Sequence, residues 1–146
     1  MIITVDTNII ISALVNSSGT EFSILKHEFK HIDFISSRLV IEEFSKKIHK
    51  ISSLTHSAPA DLLFQFNSLT EKLFLIDDND IDSFSIKKAE KLIEGLDARD
   101  FLFLAVSICF DALLWTGDLK LRRGLKRKGY KNIVTTKELK EIIRGL

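Results

Sequence analysis

The 146-residue chain has one cysteine, one proline, one methionine, one tryptophan and one tyrosine, and only six glycines. A lone cysteine, Cys109, excludes a disulfide framework and a cysteine-rich metal site, and a reducing cytoplasmic setting is expected. No linker, low-complexity tract or internal repeat is present. No apolar run approaches the ~20 residues needed to span a bilayer. The opening MIITVDTN lacks a basic head and a long apolar core, so it does not read as a signal peptide, and no membrane attachment is expected.

What the chain does have is apolar bulk. Apolar residues make up 45% and charged residues 28%, which excludes a disordered chain. A chain of this length is expected to form one domain, residues 1–146, and to bury roughly two-thirds of its unfolded surface. The net charge of +1 hides an asymmetry. Residues 1–118 carry 11 basic and 18 acidic side chains, whereas residues 119–146 carry 10 basic and 2 acidic ones. The tail alone supplies the positive field that an anionic partner needs.

Short β-type runs alternate with helical patterns. Strands are expected at Ile2–Val5, Ile32–Ile35, Phe74–Ile76, Ala112–Trp115 and Ile133–Thr135. Helices are expected at Thr7–Val15, Thr20–Phe29, from the cap Ser37 to Ile51, Ala58–Leu73, Asp82–Ile93, Asp100–Phe110, Leu119–Lys128 and Thr136–Arg144. Ser57 and Pro59 mark a helix entry, and Gly95 and Gly129 mark helix ends. Asp100–Phe110 is apolar on nearly every side and should be buried. The alternation implies an α/β class: a three-layer α/β/α sandwich on a mainly parallel sheet. Ligands in such sheets bind beyond the carboxyl ends of the strands.

Two strands run into an aspartate, Asp6 and Asp118. Each alone reads equally well as a helix cap, but both lie at the same sheet edge. Asp97 and Asp100 share a helical face at the start of the buried helix, where either also offsets the helix dipole. Glu43 lies about 100° around its helix from the buried Phe44 and Glu42 about 160°, so Glu43 borders the core and Glu42 faces water. Two carboxylates about 4 Å apart repel by roughly 4 kcal/mol at an effective dielectric of 20. If Asp6, Glu43, Asp100 and Asp118 converge, they need protons or cations. All-oxygen ligation selects Mg²⁺ or Mn²⁺, and such an ion activates water for phosphodiester hydrolysis.

VDTNIIISAL, the Ser37–Phe44 stretch, DARDFLFLAVS and LLWTGD, in this order, resemble the PIN-domain ribonucleases, and among them the toxin ribonucleases of bacterial and archaeal toxin–antitoxin pairs. The likeness covers almost the whole chain. It implies a PIN-like fold in which Asp6, Glu43, Asp100 and Asp118 are the catalytic, metal-binding acids. It places Asp97 at an acidic position found in some members only. It puts Thr7, Asn8 and Thr116 where small polar residues orient the acids or a water. Position 120, often another acid in the family, is Lys120 here, which bears on a two-metal arrangement. The resemblance further implies Mg²⁺- or Mn²⁺-dependent endoribonuclease activity, a homodimer and silencing by a small antitoxin protein.

The basic run Lys120, Arg122, Arg123, Lys126, Arg127, Lys128 and Lys131 begins two residues after Asp118. It is a candidate surface for an RNA backbone, with a solvated helix face as the plain alternative. The eleven phenylalanines and Cys109 read as core, and His27, His31, His49 and His56 read as surface residues. Trp115 and Tyr130 lie close to the candidate cleft, Trp115 packed in its strand. Two rival functions remain: a catalytically silent RNA- or protein-binding domain of the same fold, and a receiver-like phosphoryl-transfer domain.

Overall fold

The computed structural model describes all 146 residues. Five strands, β1 (Ile2–Val5), β2 (Asp33–Ser37), β3 (Phe74–Ile76), β4 (Leu113–Trp115) and β5 (Ile133–Val134), form one sheet in the order β3-β2-β1-β4-β5. Every pairing is parallel. Parallel sheets are covered on both faces, so their strands carry unbroken apolar runs. Here Ile3, Thr4 and Val5 of the central strand are fully buried.

Eight helices connect and cover the strands: α1 (Thr7–Val15), α2 (Thr20–Lys26), α3 (Leu39–Thr55), α4 (Pro59–Thr70), α5 (Ser83–Ile93), α6 (Phe101–Cys109), α7 (Leu119–Arg127) and α8 (Thr136–Arg144). The result is the α/β/α sandwich expected, with a sheet that is wholly parallel. α6 lies against β1, β2 and β4 and packs on α5, while α1 packs on α2, α3 and α4. Helix α6 is as buried as its composition required: Phe103 through Ser107 are all inaccessible. Phe44 of α3 stacks on Phe66 of α4 with ring centroids 4.0 Å apart, which fixes the face that α3 turns inward. No helix is long and apolar enough to cross a membrane.

Several local expectations shift. β2 takes in Ser37, so Ser37 does not open α3 as its N-cap; its hydroxyl nonetheless accepts the Leu39 N–H at 3.1 Å, satisfying one free amide of the first turn. α2 stops at Lys26, three residues early, and α3 runs four residues further, to Thr55. Pro59 does stand at the start of α4, but Ser57 does not cap it. Gly95 and Gly129 follow α5 and α7 with φ of +77° and +85°, the left-handed conformation that glycine adopts without a Cβ penalty. Three of the phenylalanines, Phe64, Phe74 and Phe84, are exposed by 62% or more and are not core. Cys109 is only half-buried, its thiol 3.5 Å from Asp82 Oδ2. The four histidines are all exposed.

Candidate active site

The chain leaves β1 outward through β2 to β3, then returns to the other side of β1 as β4. Connections from β1 and β4 therefore diverge, which opens a crevice beyond their carboxyl ends. Asp6 ends β1, and its backbone N–H still pairs with Trp115 O of β4 at 3.2 Å. Its side chain caps α1 by accepting the Asn8 N–H at 3.3 Å. Asp118 caps α7, accepting the Lys120 and Leu121 N–H groups at 3.0 Å. The capping reading and the edge-of-sheet reading thus hold together for both residues.

Asp6 is 3% exposed and Asp100 8% exposed, and Glu43 is half-buried on the border of α3. Burial is the main force raising the Asp6 pKa; the Thr116 and Asn8 hydrogen bonds oppose it, and the negative charge of Asp118 adds to it. Burial and then Asp6 raise Glu43. Asp100 goes furthest: burial, followed by the charges of Asp6, Asp118 and Asp97, pushes it up to about 7. By these effects Asp6 neighbours each of Glu43, Asp100 and Asp118 at the carboxyl edge of the sheet. Asp97 stands beside Asp100, but its carboxylate is taken up by Arg99, whose Nε and Nη2 donate to Oδ2 at 2.9 and 2.6 Å. That guanidinium holds Asp97 down at about 2.

Three polar neighbours order the acids. Thr116 Oγ1 donates to Asp6 Oδ2 at 2.8 Å and accepts the Asp118 N–H at 3.1 Å. Thr7 lies beside Glu43 and its buried hydroxyl helps hold the Glu43 pKa down, although it meets no partner in regular hydrogen-bond geometry. Asn8 contributes its backbone to Asp6, while its side chain lines a separate cleft with Asp118. Sequence reasoning missed Lys47. It lies one turn after Glu43 on α3, is half-buried, and its charge lowers the pKa of both Asp6 and Glu43. The i, i+4 spacing was its only signal.

The chemistry of the donors suits a hard cation: oxygen ligands only, three carboxyls whose ionisation burial and mutual repulsion disfavour, and the orphaned Thr7 hydroxyl. No three Asp, Glu, His or Cys side chains are near enough to grip one bare ion among them. A hydrated divalent ion keeps several waters and needs only one or two carboxylates directly, so it does not require such a grip. The residues therefore fit a hydrated divalent ion.

The basic run splits. Lys120, Arg123 and Arg127 are exposed, recur at positions i, i+3 and i+7 of α7, and extend from a cleft of about 330 Å³ lined by Gly95, Leu96, Asp97, Asp118, Lys120 and Leu121. Lys126 is exposed on the side of α7 that carries Arg122. Arg122 itself is engaged, its Nη2 2.8 Å from Glu138 Oε1 of α8. Lys128 caps α5 by donating to Leu92 O and Glu94 O. Trp115 and Tyr130 are both buried, so neither offers a face for base stacking.

The PIN domain family matches residues 4–140. The chain belongs to the PIN domain family. Its fold is similar to that in the crystal structure of VapBC2 from Rickettsia felis bound to a DNA fragment from their promoter (TM-score 0.67, 19% identity, 92% of this chain and 97% of that one). It is similar also to VapBC-1 from nontypeable Haemophilus influenzae (TM-score 0.68, 16% identity, 94% and 99%). No curated protein matches the sequence. As a PIN domain, the chain carries its four edge acids on β1, α3, the turn before α6, and the β4–α7 connection.

Proposed function

We propose that this PIN domain is a Mg²⁺- or Mn²⁺-dependent endoribonuclease and the toxin of a toxin–antitoxin pair. The observation that carries the reading is the burial of Asp6 and Asp100 at the fork between β1 and β4, where the charges of Asp6 and Asp118 raise Asp100 and that of Asp6 raises the half-buried Glu43. Asp6 and Asp100 are its least accessible members.

A bound divalent ion supplies an acidified water and polarises the phosphoryl oxygen. The protein's part is to hold and aim. Asp6 and Asp118 are each fixed by helix-capping amides and joined through Thr116, and the charge of Asp6 reaches both Asp100 and Glu43. The Asp100 carboxyl, near neutrality in the free protein, gives up its proton when positive charge arrives. Lys120, Arg123 and Arg127 hold the RNA backbone without reading its sequence. The presence of VapBC assemblies among the similar structures supports an antitoxin partner. A homodimer follows the family resemblance.

The test is cleavage of a structured RNA with Mg²⁺ or Mn²⁺. The wild type is expected to cut, EDTA to stop it, and Asp6→Asn to lose the activity. Equal cleavage by wild type and Asp6→Asn rejects this site. Metal binding without turnover identifies the chain instead as the catalytically silent RNA-binding form.

A further inference from the structure

A second cleft opens on the other side of Asp118, about 350 Å³ in volume and lined by Asn8, Ile9, Ser12, Glu21, Gly117 and Asp118. Only Ile9 in it is apolar. We propose that this cleft is a nucleobase pocket that selects guanine beside the scissile phosphate, with Glu21 as the reading group. The inference rests on the ribonuclease reading for its biological setting, though not for its chemistry.

Glu21 is pre-oriented by a relay. The indole Nε1–H of buried Trp115 donates to Thr136 Oγ1 at 3.0 Å, and that hydroxyl donates to Glu21 Oε1 at 3.4 Å. The carboxylate is thereby aimed from one oxygen. No lysine or arginine pairs with it, which leaves its acceptor capacity for a ligand. An acceptor of this kind, next to the acidic centre, favours a neutral group rich in N–H donors over another phosphate.

Among the four bases, guanine alone presents a ring N–H and an amino group side by side, matching the two oxygens of a carboxylate. Adenine and cytosine set an acceptor nitrogen beside the amino group. Uracil flanks its ring N–H with two carbonyl oxygens, which a carboxylate repels. The Asn8 amide and the Ser12 hydroxyl supply donors for the guanine carbonyl and for the ribose. At Gly117 a Cβ would meet nothing within 4 Å, so this wall is open for a flat ring to approach. Because Asp118 lines both this cleft and the one beside Asp97, a base seated here belongs to the nucleotide next to the cut.

The sole tryptophan makes a direct readout possible, since its indole N–H starts the relay to Glu21. In ¹⁵N-labelled, metal-free protein that single indole resonance is expected to shift with GMP and not with UMP. Glu21→Gln is expected to abolish the GMP shift. Gly117→Val, which fills the cleft and leaves the carboxylate intact, is expected to block it as well. In cleavage mapping, the preference for guanine over uracil at the adjoining position should fall roughly tenfold or more in Glu21→Gln. Equal responses to GMP and UMP, or a guanine preference untouched by Glu21→Gln, overturn the proposal. A GMP-specific shift in a protein that cuts no RNA rejects the ribonuclease reading and leaves the pocket standing.

Discussion

Thr116 donates its hydroxyl proton to Asp6 while accepting the backbone N–H of Asp118, so one side chain ties together the two aspartates that end β1 and follow β4. Thr116→Val keeps the shape and removes both bonds. The buried Asp6 carboxylate then loses its only side-chain hydrogen bond. We expect a stability loss of about 1–3 kcal/mol, read from denaturant midpoints, together with slower cleavage. Wild-type stability and activity in this variant would show that the hydroxyl does not hold the site.

Asp100 makes stability depend on pH in an unusual direction for a carboxylate. Its pKa is about 7 in the fold against 3.8 for an ordinary aspartate, so the folded chain keeps a proton that the unfolded chain releases. This contribution is complete below about pH 4 and is lost as pH rises through about 7. The Tm of the metal-free protein should therefore fall across that window. Asp100→Asn should flatten the fall, and Mg²⁺ should offset it at the alkaline end. An unaltered pH profile in Asp100→Asn contradicts the assignment.

Arg122 and its basic neighbours should separate experimentally. Arg122→Ala breaks the link from α7 to α8 and should cost about 1 kcal/mol of stability, with RNA affinity unchanged. Lys120→Ala, Arg123→Ala and Arg127→Ala should leave stability intact. Each should weaken RNA binding and reduce the slope of log affinity against log salt by roughly 0.7. A salt slope that changes only for Arg122→Ala reverses this division.

Lys47 holds down the pKa of Asp6 and Glu43. Lys47→Met should raise both further, as followed by carboxyl ¹³C shifts in an NMR titration. Unmoved titration curves would place the ammonium elsewhere.

Much of this arrangement was legible in the chain before any coordinates. Asp6 directly follows a short apolar run and Asp118 follows another after Thr116-Gly117, so period and punctuation alone put both at one sheet edge, while Asp100 opens an apolar helix that should hold it near the sheet. Glu43 was legible through its angle from Phe44. Residues whose role depends on pairing across the fold were not. The family resemblance alone pointed to Thr116 as a residue that orients the acids, and nothing local marks Asp6, 110 positions away, as its partner; Arg122 looked like any member of its basic run until Glu138 came to face it. Asp97 read as a further acid, whereas the neighbouring Arg99 occupies it. Glu21 was not singled out in the sequence at all; only the relay from Trp115 through Thr136 gives it a direction. Exposed Phe64, Phe74 and Phe84 show the same limit, since composition does not reveal which faces the tertiary packing leaves open.

On the proposed reading, four acids from separate elements serve a single divalent-ion centre. Calorimetric titration with Mn²⁺ of the wild type and of Asp6→Asn, Glu43→Gln, Asp100→Asn and Asp118→Asn tests it most directly, with Asp97→Asn as a control. One binding event is expected in the wild type, weakened by each of the four substitutions and nearly unchanged in Asp97→Asn. Mn²⁺ binding that is indifferent to Asp6→Asn and Asp100→Asn would contradict it.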